Sequence, residues 1–163
     1  MHGIRPHNVS LEAMDDAVLM LDGITSAENV GSIVRSCVAL GVNSLVIADE
    51  TPHPFNRRAL RVSMGHASMM KTYLHQDIKE TILLMQSLGY RVFAAEVRSG
   101  STPLSKVKVP QKWVLIMGHE GRGISEDILA LVDEVVTIEM QEGVKSFNVG
   151  VAASIMMYQF VNK

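Results

Sequence analysis

Residues 17–41 read "AVLMLDGITSAENVGSIVRSCVALG". The opening "AVLMLDG" (17–23) is a short apolar run without alternation, the pattern of a strand covered on both faces. Past a polar turn the period changes. From Glu28 to Leu40, Val30, Ile33, Val34, Cys37 and Val38 fall at i, i+3, i+4, i+7 and i+8, which makes one face of an amphipathic helix. Gly41 is placed to stop that helix, because a C′ residue takes the left-handed backbone that glycine adopts without a Cβ penalty. A buried strand feeding an amphipathic helix is the repeating half of a βαβ structure, so this stretch sets the expected fold class as α/β.

The alternation continues outward. "SLVIAD" (44–49) reads as a strand, Asn56 as the cap of a short helix over 57–64, and "MKTYLH" (70–75) as an edge strand. A helix is expected over 77–88, ending at Gly89, then a strand "YRVFAAEV" (90–97) and a polar connection "SGSTPLSKVKVPQK" (99–112). The chain finishes with a strand "WVLIMG" (113–118), a short helix over 125–131, a strand "EVVTIEM" (134–140) and a helix over 148–161. Repeated βα units imply a mostly parallel sheet with helices on both faces, and ligands of such sheets sit beyond the carboxyl ends of the strands.

With 163 residues and 47% hydrophobic content, the chain suits one domain over 1–163, with residues 1–16 as an N-terminal extension. A formal net charge of -2 gives no global field for polyanions, so any nucleic-acid contact must be local. The single cysteine, Cys37, fits a reducing compartment and falls within the apolar stripe, and the six His lack metal-site spacing. The expectation is a cytoplasmic, metal-free protein without a membrane span.

Three loops after predicted strands are dense in Gly, Asn, Ser and single charges: "GITSAENVGSIVR" (23–35), "GHEGRGISED" (118–127) and "QEGVKSFNVG" (141–150). Gly118, Gly121 and Gly123 allow close backbone approach to a ligand, but their order matches neither a P-loop nor a dinucleotide fingerprint. On residue type alone, Asn29 serves as an N-cap, Gly31 permits close packing, Ser125 caps the following helix, and Ser146 or Asn148 caps the last one. Arg35 lies off its helix's apolar stripe, facing solvent or a cleft equally well. Arg57, Arg58 and Arg61 form a small basic patch in which Arg57 and Arg61 share a helix face, and Lys106, Lys108 and Lys112 form a weaker one. The last helix, with Val149, Val151, Ala152, Ala153, Ile155, Met156, Met157, Tyr158 and Phe160, is apolar on too many sides for one wet face, so a second copy is expected to cover it.

Taken together and in order, "LDGITSAENVGSIVRSCVALGV", "LIMGHEGRGIS" and "IEMQEGVKSFNVGVAASIMMY" resemble the three motifs of the SpoU branch of the SPOUT RNA methyltransferases, and "RVSMGHAS" is similar to a lesser segment between the first two. The likeness covers about residues 17 to 161. It departs from the usual pattern at Phe147 (commonly Leu), Gly150 (commonly Ser) and His119 (often Asn), and the sixteen residues before the first strand leave no room for the separate RNA-binding domain of larger relatives.

The resemblance implies a C-terminal trefoil knot, S-adenosylmethionine as cofactor, a homodimer, and methylation of a ribose 2′-hydroxyl in tRNA or rRNA. It implies catalytic roles for Arg35, Asn29, Glu120, Ser146 and Asn148. It places the cofactor against Met117, Gly118, His119, Glu120, Gly121 and Gly123, with Ile138, Met140, Ser146, Phe147 and Val149 nearby. RNA is assigned to Arg35, Arg57, Arg58 and Arg61. Because a guanidinium stays charged far above neutral pH, Arg35 suits a phosphate clamp better than a general base. Two other functions share parts of this pattern: a noncatalytic knotted RNA-binding or assembly module, and a flavodoxin-like nucleotide-binding domain that leaves the third motif unexplained.

Overall fold

A computed structural model describes residues 8–48, 51–119, 121–144 and 148–162. Seven strands form one sheet: β1 (Ala17–Asp22), β2 (Ser44–Ala48), β3 (Lys71–His75), β4 (Arg91–Ala95), β5 (Thr102–Pro103), β6 (Trp113–Gly118) and β7 (Glu134–Thr137). Their order is β3-β2-β1-β6-β4-β7-β5, and every pairing is parallel. The pleat sends Leu19 and Leu21 of β1 into one core and Val18 and Met20 into the other, which is why that strand shows no apolar alternation in sequence.

Among the described residues, five α-helices cover the sheet: α1 (Ala27–Leu40), α2 (Arg57–Val62), α3 (Ile78–Ser87), α4 (Glu126–Leu131) and α5 (Val149–Val161). One core joins Ile33, Val34 and Cys37 of α1 to Ala153, Met157 and Phe160 of α5 over Leu19, Phe93 and Leu115. The other joins Ile82 and Met85 of α3 to Ile128 of α4 over Met20 and Ile116. Phe160 meets Phe93 and Trp113 edge-on, each with ring centroids 5.0 Å apart.

The N-terminus of α1 corrects one expectation. Ser26, not Asn29, is its N-cap, accepting the Asn29 amide on Oγ at 3.2 Å. Ser and Asn cap about equally well; starting at Ser26 adds helix and sets Glu28 in the first turn, where the helix dipole favours an acid. Gly31 is a close-packing site as expected: a Cβ there would lie 2.6 Å from the Ala59 carbonyl and 2.8 Å from Val62 Cβ, so α2 rests directly on α1. Gly41 ends α1 at φ 82, and Asn56 and Ser125 cap α2 and α4.

α1 and α5 pack side by side and run parallel. Ser154 Oγ donates to Ser36 Oγ at 2.7 Å, the Cys37 and Met157 sulfurs are 3.6 Å apart, and Ser32 abuts Gly150. Val151, Ile155, Tyr158 and Val161 on the other side of α5 are exposed.

Four features differ from the sequence reading. β7 stops at Thr137, because β5 pairs only with Val136 and Thr137, and this leaves Ile138 and Met140 in irregular backbone. β4 stops at Ala95, which frees Glu96 and Val97 from the sheet. The connection 99–112 contains β5, two residues at the sheet edge, where a proline is tolerated. α2 ends at Val62, since Met64 takes φ 58.

Candidate functional site

β1 and β6 pair along their whole length, from Ala17↔Trp113 to Asp22↔Gly118, so the loops that follow them start side by side. The loop after β6 closes on itself: the Gly123 amide donates to the His119 carbonyl at 2.7 Å, and His119 Nδ1 accepts from the amides of Gly121 at 2.9 Å and Arg122 at 3.2 Å. Glu96, at the end of β4, pins the far side by accepting the Ile124 amide at 2.8 Å.

Two glycines of this loop are required by space. A Cβ on Gly118 would lie 2.5 Å from Ile124 Cγ1 and 3.1 Å from the Gly123 carbonyl carbon. Gly123 has φ +69, and a Cβ there would overlap the Glu96 carboxylate.

Against the loop lies a cavity of about 740 Å3. Of the residues expected to hold the cofactor, it brings together Met117, Gly118, His119, Gly121, Gly123, Ile138, Met140 and Val149. Ala95, Glu96, Val97, Arg122, Thr137, Gly143, Val144, Ala152 and Met156 complete the wall and were not singled out in the sequence. Ala152 and Met156 fall one and two turns along α5 from Val149, a spacing that could have found them once Val149 was chosen. Glu96 had no such signal, since its place depends on where β4 ends. The segment after β7 is tied to the Leu104–Lys106 turn, where the Ser105 hydroxyl donates to Glu139 and holds its carboxyl below the usual carboxylate range.

A second, smaller cavity of about 270 Å3 is lined by Gly23, Ile24, Thr25, Ser26, Asn29 and His119. Asn29 therefore sits beside the first cavity, across His119. Arg35 lines neither cavity; it lies on the exposed face of α1. Asn148 is exposed and caps α5, accepting the amides of Gly150 at 2.8 Å and Val151 at 3.3 Å on Oδ1, as one of the two caps considered. Glu120, Ser146 and Phe147 lie outside the described residues.

A third depression, with Phe55, Leu60, Met64 and Gly65, is bordered by Arg57 and Arg61. Arg58 instead pairs with Glu28 at 2.8 Å. Burial pushes the Cys37 thiol up to about 12, which fits a core residue. Among the described residues, no group of three or more His, Cys, Asp or Glu is placed to hold a metal ion, and no helix is long and apolar enough to cross a membrane.

The chain is 31% identical over 145 residues to an uncharacterized tRNA/rRNA methyltransferase of Mycobacterium bovis, covering 87% of this chain and 50% of that one. It is 28% identical over 146 residues to the 23S rRNA (guanosine-2'-O-)-methyltransferase RlmB of Salmonella typhi, covering 90% and 60%. The chain thus spans about half to three-fifths of the length of these curated relatives. The SpoU methyltransferase AviRb of Streptomyces viridochromogenes, solved with AdoMet, shares the fold with a TM-score of 0.81 at 23% identity, covering 95% of this chain and 64% of that one. Residues 16–158 match the SpoU rRNA Methylase family, and the chain belongs to that family.

Proposed function

We propose that this protein transfers the methyl group of S-adenosylmethionine to a ribose 2′-hydroxyl of tRNA or rRNA, in the cytoplasm and as a homodimer. The observation that carries the reading is the cavity of about 740 Å3 against a loop whose Gly118 has no room for a Cβ. Its volume is that of a small-molecule site, and its lining fits this cofactor. Ile138, Met140, Val149 and Met156 offer apolar walls to a purine, the loop offers backbone donors and acceptors, and Glu96 brings a carboxylate. S-adenosylmethionine supplies an electrophilic methyl carbon on a cationic sulfur.

The chain's own work is then to place a hydroxyl in line with that carbon. Holding two reactants in such geometry lowers a barrier by roughly 7–11 kcal/mol. The smaller cavity, with Thr25, Ser26 and Asn29, adjoins the first through His119 and is suited to the acceptor ribose. Arg35 acts as a paired donor to the neighbouring phosphate and stabilises charge developing on the hydroxyl oxygen. Ser146 and Asn148 act at the cofactor and hydroxyl, and Glu120 orders the loops, as the family resemblance implies. Arg57 and Arg61 contact RNA; Arg58 joins them by exchanging Glu28 for a phosphate.

The exposed position of Arg35 ties catalysis to the dimer. Because α1 and α5 run parallel, with Ser36 against Ser154, Arg35 flanks the exposed stripe of Val151, Ile155 and Tyr158. A second copy covering that stripe brings Arg35 to its partner's cavity. The reading also includes a trefoil knot. In its support, α5 returns from β7 near the sheet edge to pack on α1 and β6, and it touches the Leu104–Lys106 turn of the long β4–β6 connection.

The test is calorimetry with S-adenosylmethionine, followed by mapping of ribose methylation in RNA from cells lacking and regaining the protein. Binding together with one or a few restored 2′-O-methyl positions is expected; no binding would overturn the reading. Sedimentation as a monomer at micromolar concentration would remove the dimer.

A further inference from the structure

His119 is the one described residue that lines both cavities. Its ring nitrogen Nδ1 receives two backbone amides, Gly121 at 2.9 Å and Arg122 at 3.2 Å, while its carbonyl receives a third, Gly123, at 2.7 Å. One residue thus gathers three successive N–H groups, the third through the isolated antiparallel bridge between His119 and Gly123. Two donors aimed at Nδ1 require a lone pair there, so the ring is neutral with its proton on Nε2. A protonated imidazole carries N–H on both nitrogens and accepts nothing.

We propose that His119 is the positioning residue of the glycine loop: its neutral Nδ1 holds the amides of Gly121 and Arg122 so that Gly121, Arg122 and Gly123 keep the shape that receives the cofactor, and a proton added at Nδ1 releases them. The loop then turns two donors toward a third, and the wall of the larger cavity loses its form. This rests on the reading of that cavity as the S-adenosylmethionine site. Among the described residues, the charged groups on the neighbouring elements are Arg122 in the loop, Asp22 of β1 in register with Gly118, and Glu96 against Gly123. In the segment after β7, Glu139 is tied to Ser105 and Glu142 is exposed. α1 offers only neutral Ser26 and Asn29, and α5 offers the apolar Val149, Ala152 and Met156.

An asparagine carries its Oδ1 as many bonds from Cα as histidine carries Nδ1. It accepts the same amides and does not titrate. His119→Asn therefore separates the acceptor from its protonation, and His119→Ala removes both.

S-adenosylmethionine affinity is measured by calorimetry for the wild type and both variants at about pH 8 and at about pH 5.5. The wild type should weaken about tenfold or more on acidification, the worth of one or two backbone hydrogen bonds. His119→Ala should be weaker by a similar factor at the upper pH and indifferent to acid. His119→Asn should recover most of that loss and also be indifferent to acid. Amide-exchange protection of Gly121 and Arg122 in the free protein, corrected for intrinsic rates, should fall on acidification only in the wild type. Unchanged protection at both pH values, or an acid loss that persists in His119→Asn, would overturn the assignment. If the wild type bound no S-adenosylmethionine at any pH, the cofactor reading would fail, while the protection measurement would still decide the role of His119.

Discussion

Gly123→Ala perturbs the cofactor loop with a single methyl group, in two ways that add. Gly123 sits at φ +69, where a Cβ costs an L-residue about 1–2 kcal/mol. The same Cβ overlaps the Glu96 carboxylate, which must swing away and give up the Ile124 amide it accepts at 2.8 Å. A hydrogen bond to a charged group contributes about 1.5–3 kcal/mol, and the partial exposure of Glu96 argues for the lower end. In the free variant the loop relaxes and escapes both costs, so they reappear as weaker binding rather than lower stability. Their lower limits sum to about 2.5 kcal/mol, a roughly 70-fold rise in Kd for S-adenosylmethionine. Calorimetry on a variant with native circular dichroism and an unshifted thermal midpoint is the assay. Glu96→Gln, which keeps an oxygen acceptor without the charge, should lose only about fivefold. A Gly123→Ala affinity within threefold of wild type would show that the loop does not shape the site.

Arg35→Ala should bind S-adenosylmethionine normally yet lose about two to three decades in single-turnover transfer at saturating RNA, the cost of one donor to a developing oxyanion; a wild-type rate would return Arg35 to an ordinary solvated position. Arg57→Ala should instead weaken RNA binding and flatten its salt dependence by about one unit of slope, with transfer at saturating RNA intact. Gly31→Ala forces α2 off α1, since its Cβ would be 2.6 Å from the Ala59 carbonyl, and should lower stability by about 1–3 kcal/mol in denaturant titrations; an unchanged midpoint would show that α2 yields freely. Cys37, with its thiol raised to about 12, should resist thiol reagents at about pH 8 until the protein unfolds. Its folded pKa exceeds the unfolded value near 8.5, so its contribution to stability is intact below that value and is lost as pH rises from there toward about 12.

The sheet and its main helices were legible because burial imposes a period. Val18 to Leu21 are enclosed on both faces, and the stripe from Val30 to Cys37 has one dry side. Positions decided by geometry between elements were not legible. Nothing in "VVTIEM" announces that pairing ends at Thr137, because the limit lies in the brevity of β5 on the neighbouring edge. Glu96 reads as a strand residue in sequence and becomes the brace of the glycine loop only because β4 ends one residue before it. Asn29 and Ser26 compete for one cap on equal local chemistry, and the helix takes the earlier start. The motif loops were found by resemblance, since three scattered glycines alone do not distinguish a turn from a binding loop.

The two cavities differ in what builds them, and that difference decides how each responds to substitution. The larger is formed by backbone at Gly118, Gly121 and Gly123, braced by His119 and Glu96, and by apolar walls, so its backbone donors and acceptors are not themselves deleted by truncating a side chain. Added atoms damage it: a methyl at Gly118 meets Ile124 Cγ1 at 2.5 Å, and one at Gly123 meets Glu96. The smaller is formed by the side chains of Thr25, Ser26 and Asn29, which offer hydrogen-bonding atoms that truncation deletes. Atoms added at Gly118 or Gly123 should therefore act on cofactor affinity, and truncations at Thr25, Ser26 or Asn29 on methyl transfer. Asn29→Ala, which adds no bulk and leaves the Ser26 cap of α1 in place, should lower the transfer rate while the S-adenosylmethionine Kd holds. A loss of cofactor binding in that variant, with the fold intact, would mean that the smaller cavity is part of the cofactor site and that the acceptor ribose lies elsewhere.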